Sequence, residues 1–454
     1  MFYFSASIRT AAPARLFAPL LELGFSLVAP PALRRADGRV FLPNGLNCAR
    51  VCDIIKAKKS TTRKEHDAML LIKNGHVKTM AGEDLPCGCI LIDDAGKIAS
   101  IGTEIAETEE MTVIDAEGRL VTPGCVEAHC HIGIHLSAVR WEGNEVNERS
   151  DALTPQMRAI DAIYPYDEML SNGIAGGVTS VCTGPGSANV VGGTFAAIKL
   201  VGRRIDKMVI KSPVAMKVAF GENPKGAYGQ SGNKAPVTRM ANAAMLRELL
   251  AKARNYLEAK EDGKEPSFDM KLEAMIPVIK KEIPLKAHAH RSDDIFTAIR
   301  IAREFDVNLT LDHCTDGGEI ADELAEEGYP ALVGPSFGTK TKFELMNKSF
   351  ATPAALHAAG VPISIITDAP VTPIEFLPLC AGLAYRAGLP YEVAWQAITI
   401  NPATHMGIAD RVGSLEVGKD GDVVIWQDDP LTAVGAGAHI TIVDGKVVYT
   451  APVA

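Results

Sequence analysis

The chain has 454 residues, 47% of them hydrophobic, and a formal net charge of −9 at pH 7. This length and composition are typical of a globular enzyme with a large core, and the lack of a basic excess excludes nucleic acid as the main partner. No run of about eighteen uninterrupted apolar residues occurs, so we expect neither a transmembrane helix nor a membrane partner. The nine cysteines are scattered without a disulfide framework, which indicates a reducing cytoplasm.

The first 66 residues differ from the rest of the chain. They are rich in Ala, Pro and Arg and lack sustained helical or strand periodicity. The apolar stretch 16–31 is similar to a signal peptide, but Pro19 and Glu22 interrupt it and no persuasive cleavage site follows. We therefore interpret residues 1–66 as an N-terminal extension outside the fold: a leader, a disordered segment or a start codon assigned too early.

Short strands and turns begin at Met69 and return near the C-terminus. Asn74-Gly75 and Asp444-Gly445 are hairpin dipeptides next to apolar runs. The segments 67–120 and 412–454 share this pattern and flank one long middle segment. Insertion of the middle segment into a single small domain explains that order, so we predict a small composite β-sandwich domain built from both ends.

The middle segment, residues 121–411, alternates apolar, strand-like runs with helical stretches. The clearest helices span 240–258 and 293–305, with apolar residues three and four positions apart. This alternation predicts parallel βα units of an α/β fold, a (β/α)₈ TIM barrel, with a doubly wound open sheet as the alternative. The polar motifs favour the barrel, because barrels place catalytic residues at the carboxyl ends of several strands.

Histidines and one aspartate follow four of the strand-like runs. His129-Cys130-His131 comes directly after the run 121–127, and alternate side chains of a strand point the same way, so both imidazoles can bind one cation. Three further runs end in the same manner, at His288 with His290, at His313 and at Asp368. One such residue alone is usually a packing or capping residue, but their shared position predicts a metal site.

This pattern resembles the amidohydrolase superfamily, in which His-x-His follows the first barrel strand, single histidines follow the fifth and sixth, and an aspartate follows the eighth. The family's opening "PGxIDxHxH" is matched at Pro123–His131, with Glu127 where aspartate is usual. Its closing segment is matched by Asn401-Pro402-Ala403 and by residues 413–422. Within the superfamily, the sequence is most similar to the imidazolonepropionase-like branch. The resemblance covers residues 69 to about 450.

The resemblance implies a set of metal ligands. Those of the more buried cation are His129, His131 and Asp368, and those of a second cation are His288 and His313. Lys217 is the candidate for a carboxylated lysine that bridges two cations, with Glu222 as the alternative bridge. An ordinary barrel lysine that pairs with a carboxylate is the alternative for Lys217. We therefore expect one or two divalent ions. Zinc is the expected ion, and iron and manganese are the alternatives.

One departure from the family concerns the substrate pocket. Related deaminases and imidazolonepropionase carry His-x-x-Glu after the fifth strand, whereas Arg291 stands at the glutamate position here. This departure weakens deamination of a heterocycle and leaves His290 and Arg291 as candidate contacts to an anionic group of the substrate. A surface position at the start of the following helix is the alternative for Arg291. We also count Glu222 among the candidate substrate contacts.

The implied reaction is hydrolysis of an amide or cyclic amide C–N bond of a small molecule, by attack of hydroxide held on the metal. Asp368 would accept the proton of the attacking water and pass it to the leaving amine, while His313 or His290 would stabilise the oxyanion. Two alternatives stay open: a mononuclear deaminase of the same superfamily and a non-catalytic scaffold relative. We expect a cytoplasmic homo-oligomer.

Overall fold

The computed structural model describes residues 69–137, 141–230, 232 and 234–452. The N-terminal extension predicted for residues 1–66 lies outside the described residues. Within the described ranges, no helix combines the length and the apolar character that a membrane crossing requires.

The described residues form sixteen strands and ten α-helices, numbered here in chain order. The strands are β1 (Leu70–Val77), β2 (Leu85–Ile92), β3 (Ile98–Gly102), β4 (Thr112–Asp115), β5 (Leu120–Pro123), β6 (Cys125–Cys130), β7 (Val178–Thr183), β8 (Val191–Lys199), β9 (Val209–Ala219), β10 (Leu285–Ala289), β11 (Leu309–His313), β12 (Ala331–Val333), β13 (Ile363–Ile365), β14 (Val423–Trp426), β15 (Ala438–Val443) and β16 (Lys446–Thr450). The helices are α1 (Glu168–Ala175), α2 (Glu222–Lys225), α3 (Arg239–Glu261), α4 (Met270–Ile279), α5 (Ser292–Phe305), α6 (Ala321–Glu327), α7 (Thr352–Ala358), α8 (Leu377–Arg386), α9 (Tyr391–Gln396) and α10 (Ile400–His405).

The first sheet joins the two ends of the described chain. Its order is β16-β15-β14-β5-β1-β2-β3, and β4 shares one edge of β1 with β5. β14 pairs antiparallel with β5, with Val423 opposite Pro123, and buried side chains such as Ile72 and Ile425 fill its core. Strands from both flanking segments therefore pair in one sheet, although the middle of the chain separates them in sequence. The division of this region into the two layers of a sandwich stays a prediction.

The second sheet is a TIM-barrel-like ring of eight strands in chain order, β6 to β13. Neighbouring strands are parallel except at β8, which is antiparallel to both β7 and β9. The prediction of parallel units throughout is therefore wrong at this strand. Residues 184–190 and 200–208, which link β8 to its neighbours, contain no α-helix, and parallel strands need a crossover of about a dozen residues or more.

The eight-stranded sheet is nearly closed between β13 and β6, which supports a TIM-barrel-like fold over an open sheet. The backbone of the segment after α9 bridges the seam, since Val126 N donates to Ile398 O at 2.8 Å. The buried Glu127 carboxylate spans the seam as well, accepting from the backbone N of Thr367 at 2.8 Å and from that of His129 at 2.9 Å. Glu127 therefore fixes the two strand ends on which metal ligands were predicted.

A buried ion network joins the barrel to the first sheet. Lys199 of β8 lies 2.7 Å from Asp420 and 2.9 Å from Asp422, and it also contacts Asp444. Arg411 donates to both oxygens of Asp420 at 3.0 Å. Burial alone would raise the pKa of Asp420, but hydrogen bonds from Arg411, Lys199 and Lys97 outweigh it and hold the pKa well below its usual 3.8. The aspartates of the closing sequence motif thus bind the two sheets together.

The depressed pKa predicts how stability depends on pH. A carboxyl group with a lowered pKa in the folded state stabilises the fold above its unfolded pKa, and this contribution is lost as pH falls through the folded pKa. We expect Asp420→Asn to lower the free energy of unfolding by about 2 kcal/mol at neutral pH. The difference from wild type should shrink below about pH 4. Urea unfolding between neutral and acidic pH measures it, with the exposed Glu109→Gln as the control; a difference that does not change with pH would contradict the assignment.

Candidate metal centre

Five barrel strands bring the predicted ligands to one end of the barrel. The side chains at these ends are His129 and His131 (β6), Lys217 (β9), His288 and His290 (β10), His313 (β11) and Asp368, three residues after β13. All but Asp368 are buried, and the Asp368 side chain is 15% exposed. His313 and Asp368 have left-handed backbones, with φ of 77° and 54°. Such strained conformations of non-glycine residues cluster at functional sites.

His129, His131 and Asp368 form the first group of potential cation ligands, with one donor atom of each within 4.8 Å of the others. Asp368 Oδ1 lies 3.4 Å from His129 Nε2 and 3.2 Å from His131 Nε2. His131 Nδ1 lies 2.6 Å from the carbonyl oxygen of Gly184, so Nδ1 carries the proton and Nε2 presents a lone pair to the carboxylate. Asp368 Oδ1 is buried without a hydrogen-bond partner. Two acceptors that face each other in this way fit a bound cation.

His288, His290 and His313 form a second group, again with one nitrogen of each within 4.8 Å of the others. His313 Nδ1 lies 2.7 Å from the carbonyl oxygen of Gly334, and its Nε2 is buried without a hydrogen-bond partner. His290 Nδ1 lies 2.8 Å from the hydroxyl of Thr315. The structure therefore places His290 beside the two histidines that were expected to bind a second cation.

The protonation states suit metal binding. Burial lowers the pKa of His288 and His313 well below the usual 6.5 and that of His290 to about 4, so the imidazoles are neutral at pH 7, the form that binds metal. Burial alone would raise the pKa of Asp368, but the adjacent histidines outweigh it and keep the group ionised. Burial lowers the pKa of Lys217 to about 8, so part of its amine is unprotonated near neutral pH.

A buried carboxylate orients the central histidine. Asp312 Oδ2 lies 2.8 Å from His129 Nδ1, which leaves His129 Nε2 to face Asp368. The Lys217 ammonium nitrogen lies 3.2 Å from the same Nε2. Asp312 Oδ1 also lies 3.1 Å from Lys286 Nζ, and the Asp312 and Lys286 side chains are both fully buried. A carboxylate that holds the far nitrogen of a ligating histidine fixes the direction of its lone pair.

A family model described as "Amidohydrolase family" matches residues 120–448. The chain belongs to the amidohydrolase family. Membership makes it a metal-dependent hydrolase that acts on carbon–nitrogen bonds other than peptide bonds, which confirms the reaction class predicted from the sequence.

Two sequence relatives of this amidohydrolase match most of its length. "Amidohydrolase tasK" of Hapsidospora irregularis is 29% identical over 376 residues, which are 76% of this chain but only 38% of that protein. An imidazolonepropionase of Sphingopyxis alaskensis is 26% identical over 410 residues, or 80% of this chain and 92% of the relative. Among solved structures, the amidohydrolase from Thermotoga maritima MSB8 has a TM-score of 0.80 and 38% identity, covering 84% of this chain and all of that one.

Two predicted substrate contacts of the amidohydrolase lie at the edge of the centre. The Arg291 guanidinium binds Asp293 through two hydrogen bonds of 3.0 Å and lies over the Phe343 ring. This placement at the start of α5 suits its surface alternative, and a substrate role stays a prediction. Glu222 meets Glu344, donating from its backbone N at 3.0 Å. Its roles as a bridging ligand or a substrate contact also stay predictions.

Two buried carboxylates near the candidate metal centre of this amidohydrolase were not predicted from the sequence: Asp312 and Glu344. Asp312 had a usable signal, since a charge inside an apolar barrel strand needs a buried partner. In the register of β10 and β11, Asp312 lies opposite His288, and Lys286 lies two residues earlier. Glu344 had no comparable signal, because it lies in the long loop after β12.

The position of Asp312 predicts weaker metal binding without its charge. We expect Asp312→Asn to lower the affinity for the first cation by about 10- to 100-fold, because His129 loses the group that orients it. Equilibrium dialysis of the metal-depleted protein against zinc measures the affinity, and a thermal transition recorded in parallel checks folding. An unchanged affinity in the folded variant would show that Asp312 serves the core only.

Proposed function

We propose that this amidohydrolase cleaves an amide or cyclic amide bond of a small molecule at a centre of two divalent cations, of which zinc is the expected ion. The observation that carries the proposal is the meeting of two donor groups at one barrel end, with His313 Nε2 and Asp368 Oδ1 buried and unpartnered. His129, His131 and Asp368 would hold the first cation, and His288 and His313 the second. When bound, such ions acidify a water molecule and polarise the scissile carbonyl.

Protein side chains would carry out the proton transfers and stabilise the oxyanion. Asp368, ionised at neutral pH, accepts the proton of the attacking water and returns it to the leaving nitrogen. Either His313 or His290 would stabilise the developing oxyanion, and His290 would be the donor if His313 is engaged as a ligand. The Thr315 hydroxyl can donate to His290 Nδ1 at 2.8 Å, which leaves the proton of the ring on Nε2.

A cyclic amide is the favoured substrate class, because the bacterial relatives that match over most of their length are imidazolonepropionases. Arg291 stands where both the deaminases and imidazolonepropionase carry glutamate, so it argues against deamination of a heterocycle and also against imidazolonepropionate itself as the substrate. A screen of N-acyl amino acids, dipeptides, cyclic amides and lactones tests the proposal directly. We expect hydrolysis of a cyclic amide or an N-acyl compound, whereas ammonia release from aminoheterocycles alone would favour the deaminase.

Lys217 supports the proposal of two cations. Its partly unprotonated amine lies 3.2 Å from His129 Nε2. Reaction with carbon dioxide would release a proton to solvent and give a carbamate, whose oxygens would hold both cations. We expect bicarbonate to raise zinc uptake by the metal-depleted protein to two equivalents, and Lys217→Ala to lose one. Zinc counted by mass spectrometry after dialysis gives the answer, and one equivalent in both proteins would favour a mononuclear site.

We infer two domains, preceded by the extension 1–66. The small domain is formed by residues 67–120 together with 412–454, and the barrel domain by residues 121–411. The described cysteines are all free thiols, which supports a reducing compartment such as the cytoplasm. The homo-oligomeric state stays a prediction.

A further inference from the structure

The long loop after β12 places a carboxylate next to the second histidine group. Glu344 lies in this loop, and its side chain is 1% exposed. Its Oε1 lies 3.8 Å from His288 Nε2 and 3.8 Å from His290 Nε2. A charged group this deeply buried requires compensating partners.

Contacts with the loop after β9 fix the direction of this carboxylate. Glu344 Oε2 accepts a hydrogen bond of 3.0 Å from the backbone N of Glu222. The preceding residue is Gly221, with φ of 80°, and a Cβ there would lie only 2.7 Å from Glu344 Oε2. A side chain at position 221 would push the carboxylate away. Oε2 is therefore anchored on the neighbouring loop, and Oε1 is the oxygen that faces the histidines.

The neighbouring amide shows that His288 presents a lone pair on the same side. Lys342 Nζ lies 2.7 Å from Asn223 Oδ1, and an ammonium group can only donate, so the amide orientation is fixed. Asn223 Nδ2 is then the atom that lies 3.3 Å from His288 Nε2 and donates to it. His288 Nε2 and Glu344 Oε1 are thus both acceptors, facing each other across 3.8 Å.

The charges of the two groups differ. The first group includes the Asp368 carboxylate, whereas the second consists of imidazoles alone. Lys342 Nζ, 3.5 Å from Glu344 Oε1, belongs to a side chain that is 35% exposed and lies partly in water. The donors that these two acceptors have here are distant, Asn223 Nδ2 at 3.3 Å and Lys342 Nζ at 3.5 Å, and a divalent cation bound by imidazole and carboxylate would take their place.

We propose that Glu344 is a ligand of the second cation and completes the set that His288 and His313 begin. The inference rests on the two-cation centre of the proposed function. Binding would displace the long Asn223 contact from His288 Nε2 and would leave Glu344 Oε2 on the Glu222 backbone. The loop after β12 would then contribute a ligand to the metal site.

The test counts zinc on the full chain, stripped of metal and dialysed against buffered zinc with bicarbonate. We expect Glu344→Gln to bind the first equivalent as wild type does and the second at least about 10-fold more weakly. Asp293→Asn is the matched control, because it removes one negative charge from the start of α5, where Asp293 pairs with Arg291. It should bind both equivalents as wild type does.

A further variant tests whether Glu344 binds the cation or only forms an ion pair with Lys342. Lys342→Met should keep the second equivalent if Glu344 binds the cation, and an equal loss in Lys342→Met and Glu344→Gln would overturn the proposal. So would unchanged second-site affinity in Glu344→Gln. If Glu344→Gln lacks a thermal transition, Glu344→Asp replaces it, and wild-type affinity there would also overturn the proposal. One equivalent in wild type overturns this inference but leaves hydrolysis at the first group standing, whereas no zinc at all overturns both.

Discussion

The double variant His129→Ala/His131→Ala is expected to lose the first cation and to hydrolyse its substrate at background rate. Both imidazoles that face Asp368 are removed, so the electrostatic stabilisation of the transition state goes with the cation. We expect kcat/KM to fall by about 10⁴-fold or more. Zinc analysis of the purified protein, together with kinetics, measures both effects.

The matched control removes two histidines elsewhere. His76 lies on β1 of the first sheet and His357 on α7, so His76→Ala/His357→Ala should keep both metal and turnover. Zinc retained at the first site of the His129/His131 double variant would contradict the assignment, whatever its activity.

Asp368→Asn is expected to lower kcat by about 10²- to 10⁴-fold at saturating zinc, the range typical of a lost general acid or base. The amide keeps the shape of the side chain and one oxygen that can bind the metal, but it cannot take up the proton of the attacking water. Measuring kcat at increasing zinc separates this loss from weaker binding. A kcat that returns to the wild-type value at high zinc would show that Asp368 acts as a ligand only.

The ligand positions were predictable because they depend on local sequence. His129 and His131 share one strand face, and His288, His313 and Asp368 each follow an apolar run, so a barrel would bring them to the same end. The family resemblance then implied that they are metal ligands. The family resemblance added Lys217, which the structure places 3.2 Å from His129 Nε2. The alternation of strands and helices predicted an α/β fold, and the position of the polar motifs favoured the barrel over an open sheet.

Other features depend on contacts between distant segments and could not be predicted in the same way. The apolar run of β8 does not encode its direction, which is set by the links on either side. Glu344 reaches the histidines from a loop that packs against Gly221 and Glu222. Glu127 was noticed as an unusual residue, yet its bond to Thr367 joins positions 240 residues apart.

Metal-dependent turnover is the most direct test of hydrolysis at a two-cation centre. The full chain is stripped of metal with a chelator, and zinc is added back in steps while hydrolysis of the best substrate from the screen and bound zinc are measured on the same samples. We expect no turnover without metal and activity that rises with bound zinc until two equivalents are bound. Full turnover by the metal-free protein would contradict this expectation.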